Sequence, residues 1–172
     1  MLLNNSYSGI SDLMEISRIA ESFYSASKNG DAATMASLYH DDAEFNDPAF
    51  GTLKGGEIRM MWKMLINRSK GNLEIDYSLV DTDENTAVVK WEARYTFTQT
   101  KRPVHNKITA RLIFEDGKIK SHTDDFSLWR WSRQAFGVKG LLLGWTPFFR
   151  AKLQQSTRKL LRDYIGKTPD GN

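Results

Sequence analysis

Thr86-Ala87-Val88-Val89-Lys90-Trp91-Glu92-Ala93-Arg94-Tyr95-Thr96-Phe97 places apolar side chains at Ala87, Val89, Trp91, Ala93, Tyr95 and Phe97. Lys90, Glu92, Arg94 and Thr96 stand between them. Successive side chains of a strand point to opposite faces, so this alternation predicts a long strand with one dry face. Residues 72–81, 104–115 and 118–127 read as further strands, and Asp83-Glu84-Asn85 and Glu115-Asp116-Gly117 as turns. The second half of the chain is therefore an antiparallel meander.

Upstream the period changes. Leu13, Ile16, Ile19, Ala20, Phe23 and Tyr24 fall on one helical stripe over residues 12–28, which Asn29-Gly30 ends. Asp31 caps a second, short helix carrying Met35 and Leu38. Residues 43–47 suit a short strand that Asp47-Pro48 stops, and a third helix fits 55–68 with Ile58, Met61, Trp62 and Leu65 on one side. Helices followed by a meander predict an α+β fold rather than alternating α/β.

Downstream of Phe126 the helical period returns. Ser127 to Ala135 reads as one helix, and Pro147 opens another with Phe149, Leu153, Ser156, Leu160 and Tyr164 on a shared face.

Composition narrows the function classes. A chain of 172 residues, 40% of them hydrophobic, can bury one core and is not a disordered polymer. It holds no cysteine, which removes disulfides, thiolate metal sites and a cysteine nucleophile. The three histidines are spread apart, so no metal site and no cofactor is expected. Neither a basic start with an apolar run nor a long apolar span occurs, and the expected location is cytoplasmic. Charge is divided unevenly. Residues 1–126 carry a net of −4 and residues 127–172 a net of +7. The expected organisation is a body over 1–126 and a basic, aromatic helical extension over 127–172.

Asn29-Gly30-Asp31, Leu38-Tyr39-His40-Asp41-Asp42-Ala43-Glu44-Phe45-Asn46-Asp47-Pro48 and the later Gly117-Lys118-Ile119 form a pattern. With the order of elements, it resembles the SnoaL-like branch of the nuclear transport factor 2-like superfamily over roughly residues 12–126. That superfamily includes ketosteroid isomerases, polyketide cyclases and limonene epoxide hydrolase. The resemblance implies a curved antiparallel sheet wrapped around the N-terminal helices, a cone with a pocket at its open end. Fold alone does not decide chemistry.

The resemblance also implies candidate residues. Asp47 matches the acidic residue before proline that serves the isomerases as general base. The isomerase oxyanion tyrosine falls on Phe23, which has no hydroxyl, with Tyr24 adjacent but turned about 100° away on a helix. The isomerase protonated aspartate falls near Ala110. Loss of one such donor typically costs about 100- to 1,000-fold in rate, which disfavours steroid isomerisation. The cyclase pattern fits better: His122 and Asp124 match its histidine and aspartate on the last strand. Residues two apart share a strand face, so His122, Asp124 and Phe126 look the same way.

The expected catalytic set is thus Asp124 with His122, assisted by Asp47. The expected lining is Phe23, Tyr24, Trp62, Trp91, Tyr95, Ala110, Phe126 and Trp129. Plainer readings stand beside these. Asp47-Pro48 can simply close a turn. His122 and Asp124 can be a surface pair, and the aromatic stripe ordinary sheet core. His40 reads as part of a solvated loop and His105 as exposed.

The stretch Gly137-Val138-Lys139-Gly140-Leu141-Leu142-Leu143-Gly144-Trp145-Thr146-Pro147-Phe148-Phe149 leaves much apolar surface to cover. It can cap the pocket, make a homodimer contact, dip into an anionic membrane surface or hold a partner protein. A large bare patch is unusual in a monomer, which favours cap or dimer contact. Nucleic acid is not expected, since Leu160, Leu161 and Ile165 interrupt the basic residues as packing positions. The expected function is binding of an apolar or polycyclic small molecule, with isomerase- or cyclase-type proton transfer on a carbonyl compound. The alternative is a non-catalytic dimeric interaction module that uses the basic helix.

Overall fold

Alternation over residues 86–97 becomes β4 (Thr86–Phe97), with β3 (Leu73–Thr82) on one side and β5 (Arg102–Glu115) on the other. In the computed structural model, β6 (Lys118–Asp125) continues the antiparallel meander beside β5. The structure describes residues 4–168, with side chains described from residue 13 onward. The opening Met1-Leu2-Leu3, on which the expectation of a leaderless start partly rests, lies outside the described residues.

Two further strands complete an α+β sheet of six in the order β2-β1-β6-β5-β4-β3. β1 (Tyr39–Asp47) runs parallel to β6, and β2 (Gly51–Lys54) folds back on β1 as a hairpin. α1 (Asn4–Lys28), α2 (Ala32–Ser37) and α3 (Gly56–Ser69) precede the meander, and α4 (Leu128–Phe136), α5 (Val138–Leu143) and α6 (Pro147–Ile165) follow it. The register shifts at Tyr39/Glu44, Leu79/Asp81 and Ile113/Phe114, and such bulges add the local twist that curves a sheet.

Local chemistry explains the element ends. Asp31 caps α2 by accepting from Thr34 N at 3.0 Å, and Ser127 and Thr146 cap α4 and α6 in the same way. Gly30 takes φ of 70° where α1 turns into α2.

Two expectations need correction and one is widened. β1 begins at Tyr39, not at residue 43, so His40 belongs to a strand instead of a loop. The hairpin strand β2 was not anticipated, because Gly51-Thr52-Leu53-Lys54 is too short to show a period. The inward face of α6 is as expected but broader: Phe149, Leu153, Ser156 and Leu160 line the cavity and Tyr164 packs on the core, while Leu161 is buried beside them and Thr157 and Arg158 bond the body.

Each inward strand face changes character along its length. On β4, Ala87 and Val89 are buried in the core, while Trp91, Ala93, Tyr95 and Phe97 line a cavity. On β1, Tyr39 and Ala43 are buried, and Phe45 and Asp47 reach the cavity. On β6, Ile119 and His122 are buried, and Asp124 reaches the cavity. One end of the sheet is thus filled by the helices and the other is open.

The extension closes part of that opening. Thr157 Oγ1 donates to Ala49 O at 2.8 Å, Gln154 Nε2 to Pro48 O at 3.2 Å and Arg158 Nε to Phe50 O at 2.8 Å. Leu161 joins the main core, while Phe149 and Leu153 pack with Trp131 and Val104. α5 meets α4 through glycine. A Cβ at Gly140 would stand 1.9 Å from Ser132 O, and one at Gly144 would stand 1.7 Å from Ser132 Oγ. Gly140→Ala should therefore push α5 off α4 and cost about 1–3 kcal/mol, seen as a lower midpoint in thermal denaturation. An unchanged midpoint would contradict this packing.

Candidate active site

A cavity of about 590 Å³ opens between β1, β4, β5, β6, α3 and the extension. Its walls are mainly apolar and aromatic, among them Phe45, Trp62, Trp91, Tyr95, Phe126 and Trp131. Two carboxylates reach it, Asp47 at the end of β1 and Asp124 near the end of β6.

Asp124 ends a buried hydrogen-bonded chain. Trp62 Nε1 lies 3.0 Å from Tyr39 Oη. An indole N–H can only donate, so the tyrosine hydroxyl accepts it; we assign the hydroxyl proton to the 2.6 Å contact with His122 Nδ1, where it has an acceptor. Burial raises the Tyr39 pKa well above the ordinary phenol value, outweighing the lowering by Trp62, so the hydroxyl keeps the proton it donates. In a neutral imidazole this leaves the proton on Nε2, which donates to Asp124 Oδ1 at 3.1 Å. Trp91 Nε1 donates to the same oxygen at 3.2 Å. The imidazole is fully buried and held in aromatic surroundings, edge-on to Phe23 and Phe45 and stacked with Tyr39 and Trp62. Asp124 therefore has a fixed orientation, and Oδ2 takes part in none of these bonds.

Asp47 has a different setting. Its Oδ1 accepts from Ala49 N at 2.9 Å and Phe50 N at 2.5 Å, which builds the Asp-Pro turn into β2. Both readings of this residue hold, since the same side chain closes a turn and lines the cavity. Burial pushes its carboxyl from the ordinary range up to about 7, against the pull of the Phe50 N–H, and the charge of Asp124 pushes the same way. Tyr95 is nearby in the lining, where its hydroxyl accepts from Trp131 Nε1 at 2.8 Å.

The structure brings Asp47, Asp124, Trp62, Trp91, Tyr95 and Phe126 to one cavity. His122 stands behind Asp124 rather than in the lining. Four expected lining residues are misplaced. Phe23 and Tyr24 are both buried in the core, because the helical stripe of α1 is broad enough to take adjacent residues inside. Ala110 is buried opposite Asp124 in the β5–β6 register, too short to reach the cavity past it. Trp129 lies on the outside of α4, where its Nε1 donates to Leu141 O at 3.1 Å, and the buried Trp131 takes the place in the wall. The expected surface pair reading of His122 and Asp124 is wrong for the same reason: both are buried. His105 is half-buried, 2.6 Å from Glu92 Oε2 on the other face of the sheet.

Tyr39 was missed as a site residue. Its signal was present, since Ala43 and Phe45 continue an inward pattern that begins at Tyr39, but the bulge between Tyr39 and Glu44 breaks the strict alternation.

The sequence profile of the SnoaL-like domain matches residues 20–122. The chain belongs to the SnoaL-like domain family. Solved structures with the same fold include a candidate polyketide cyclase from Xanthomonas campestris pv. campestris, 16% identical, with a TM-score of 0.60 over 72% of this chain and 98% of that one. They also include an LEH-like epoxide hydrolase from M. tuberculosis, 21% identical, with a TM-score of 0.55 over 77% of this chain and 92% of the other. An NTF2-like protein from Burkholderia xenovorans LB400 is 18% identical, with a TM-score of 0.57 over 72% and 97%. No curated protein matches. Identities this low carry the SnoaL-like fold and not its chemistry. Helices α4, α5 and α6 lie beyond the matched residues.

The setting of Asp47 has a consequence for stability. A carboxyl whose pKa is raised on folding holds its proton to higher pH in the native state than in the unfolded one. Its contribution is full below about pH 4 and is lost as pH rises through about 7. Asp47→Asn keeps an oxygen for Ala49 N and Phe50 N but cannot ionise. Its melting temperature relative to the original protein should therefore rise between about pH 5 and about pH 8. A difference constant over that range would contradict the assignment.

Proposed function

We propose that this SnoaL-like protein is a cofactor-independent proton-transfer enzyme acting on an apolar, carbonyl-bearing small molecule, of isomerase or cyclase type. One observation carries the reading: two aspartates in unlike environments face the same apolar cavity. Environments that separate two carboxyls in this way divide them into a base and an acid. The cavity volume lies within the span of about 300–1,000 Å³ usual for small-molecule sites, and suits a ring system of moderate size.

Asp124 is the base. Two N–H donors hold its Oδ1, which leaves the other oxygen to take a proton from the carbon next to the carbonyl. His122 is a positioning residue: it donates from Nε2 and takes no proton from the substrate. Charge then develops on the carbonyl oxygen. Phe23 and Ala110 offer no donor at the positions the steroid isomerases use, so that charge must be met elsewhere. Asp47, with a pKa near 7, retains a proton in a large part of the molecules at neutral pH and can donate it. The Tyr95 hydroxyl accepts from Trp131 and has its own proton to offer the same oxygen. Apolar walls strengthen both contacts by excluding water.

Exchange of α-protons into D₂O, followed by proton NMR over a panel of apolar mono- and polycyclic ketones, tests this directly. At least one ketone should exchange faster than in buffer. Asp124→Asn should slow that exchange by at least about 100-fold, and Asp47→Asn by less, with loss of the pH dependence near about 7. No exchange above buffer on any ketone, or an unchanged rate in Asp124→Asn, would overturn the assignment.

A further inference from the structure

The inner face of α6 caps the cavity, but the outer surface of the extension has no cover. Val138, Leu142, Leu143, Trp145 and Phe148 are 69, 63, 50, 71 and 67% exposed. All five lie on α5, the turn after it or the start of α6, a short exposed apolar ridge in the chain, and Trp129, itself 39% exposed, bonds Leu141 of α5. We propose that this ridge docks on an anionic membrane surface.

Charge supports that occupant over others. From Ser127 to Arg162 the chain has no Asp or Glu, while Arg130, Arg133, Lys139, Arg150 and Lys152 lie in the ridge segment and flank it. The cations sit among the apolar groups: Arg133 lies 4.8 Å over the Trp129 ring, and Lys152 lies 5.9 Å over Phe148. Aromatic and aliphatic side chains entering a headgroup layer, with Lys and Arg at the level of the phosphates, is how an interfacial helix binds anionic lipid. A second copy fits less well. A two-fold contact through this patch would bring one set of cations against its equal, with no acid in the segment to separate them.

Two details prepare the ridge for leaving water. Trp145 Nε1 donates to Leu142 O and Trp129 Nε1 to Leu141 O, both at 3.1 Å. The indoles therefore enter an apolar layer without an unpaired donor. The body has the opposite sign, a net of −4 over residues 1–126 against +7 over 127–172, so an anionic surface attracts the extension and repels the rest. None of the described helices is long and apolar enough to cross a membrane, so the contact is peripheral.

Docking also sets the cavity beside the lipid. Phe149, next to Phe148 on α6, lines the cavity, as do Lys152 and Leu153 about one turn further on. An apolar ligand could then pass from the bilayer to the cavity. That step rests on the proposed function, whereas the docking does not and is measured without turnover.

Co-sedimentation of the full chain with vesicles tests the proposal. One set is phosphatidylcholine alone and the other phosphatidylcholine with phosphatidylglycerol in equal amounts. The anionic vesicles should bind the protein, and the neutral ones, or high salt, should weaken binding by about tenfold or more. Trp145→Ala with Phe148→Ala should lower binding to anionic vesicles by about tenfold while leaving the circular dichroism spectrum unchanged, since both side chains are exposed. Asp124→Asn should bind like the original protein, so a failure of the proton-transfer reading would leave this result intact. Absence of binding to anionic vesicles, or equal binding by the Trp145/Phe148 double variant, would overturn the proposal. So would a lipid-free dimer in sedimentation velocity that the same double variant abolishes.

Discussion

A carboxylate at the boundary between a dry core and a cavity needs partners, and Asp124 has them in a single chain of hydrogen bonds. Trp62, Tyr39 and His122 each satisfy the next group, and the chain ends on one aspartate oxygen. A buried polar group without such partners costs on the order of 1–3 kcal/mol, and a buried charge costs more. The three donors in the chain come from α3, β1 and β6, so the helix and the two parallel strands must meet in one arrangement to complete it. Trp91 from β4 brings in the far side of the sheet.

The rest of the architecture follows from keeping one end of the sheet filled and the other open. α1 supplies one of the rings that enclose His122, Phe23, which is edge-on to both His122 and Tyr39. Small residues stand where the strands are most crowded, Ala43, Ala87 and Ala110. Toward the open end the inward residues grow to Trp91, Tyr95 and Phe126, which border the cavity. The extension then narrows the opening with Phe149 and Leu153, and Trp131 closes one side. The two aspartates differ because this gradient places them differently. Asp124 is held by side chains from the filled end, while Asp47 meets backbone N–H groups of its own turn and the apolar wall.

Much of this was legible from residues alone. The alternation in 86–97, the helical stripes and the Asn-Gly, Asp-Gly and Asp-Pro turns specify local structure through short-range sterics, and each produced the element expected of it. The aspartates at 47 and 124 were also visible, because their positions follow from strand phase and a known pattern. What escaped depends on distant contacts. The bulge that lets Tyr39 reach His122 is set by the parallel pairing of β1 with β6, which no local period reports. The choice of Trp131 over Trp129 as wall depends on how α4 is rotated by Gln134 bonding His105 across the sheet edge. Phe23 and Ala110 were placed by resemblance, and here those positions are core. The wider inward face of α6 is set by Thr157 and Arg158 bonding the carbonyls of Ala49 and Phe50, a docking interaction that a helical stripe cannot show.

The account depends most on the state of His122. If the chain from Trp62 to Asp124 is as described, the imidazole accepts at Nδ1 and carries its proton on Nε2. Nitrogen-15 NMR of the histidine side chains, with His122 assigned by substitution, reads this tautomer directly. The account predicts an unprotonated Nδ1 and a protonated Nε2 for His122, with the signal displaced in Tyr39→Phe. A protonated Nδ1 would mean that Tyr39 does not donate to it and that Asp124 is not held by this chain.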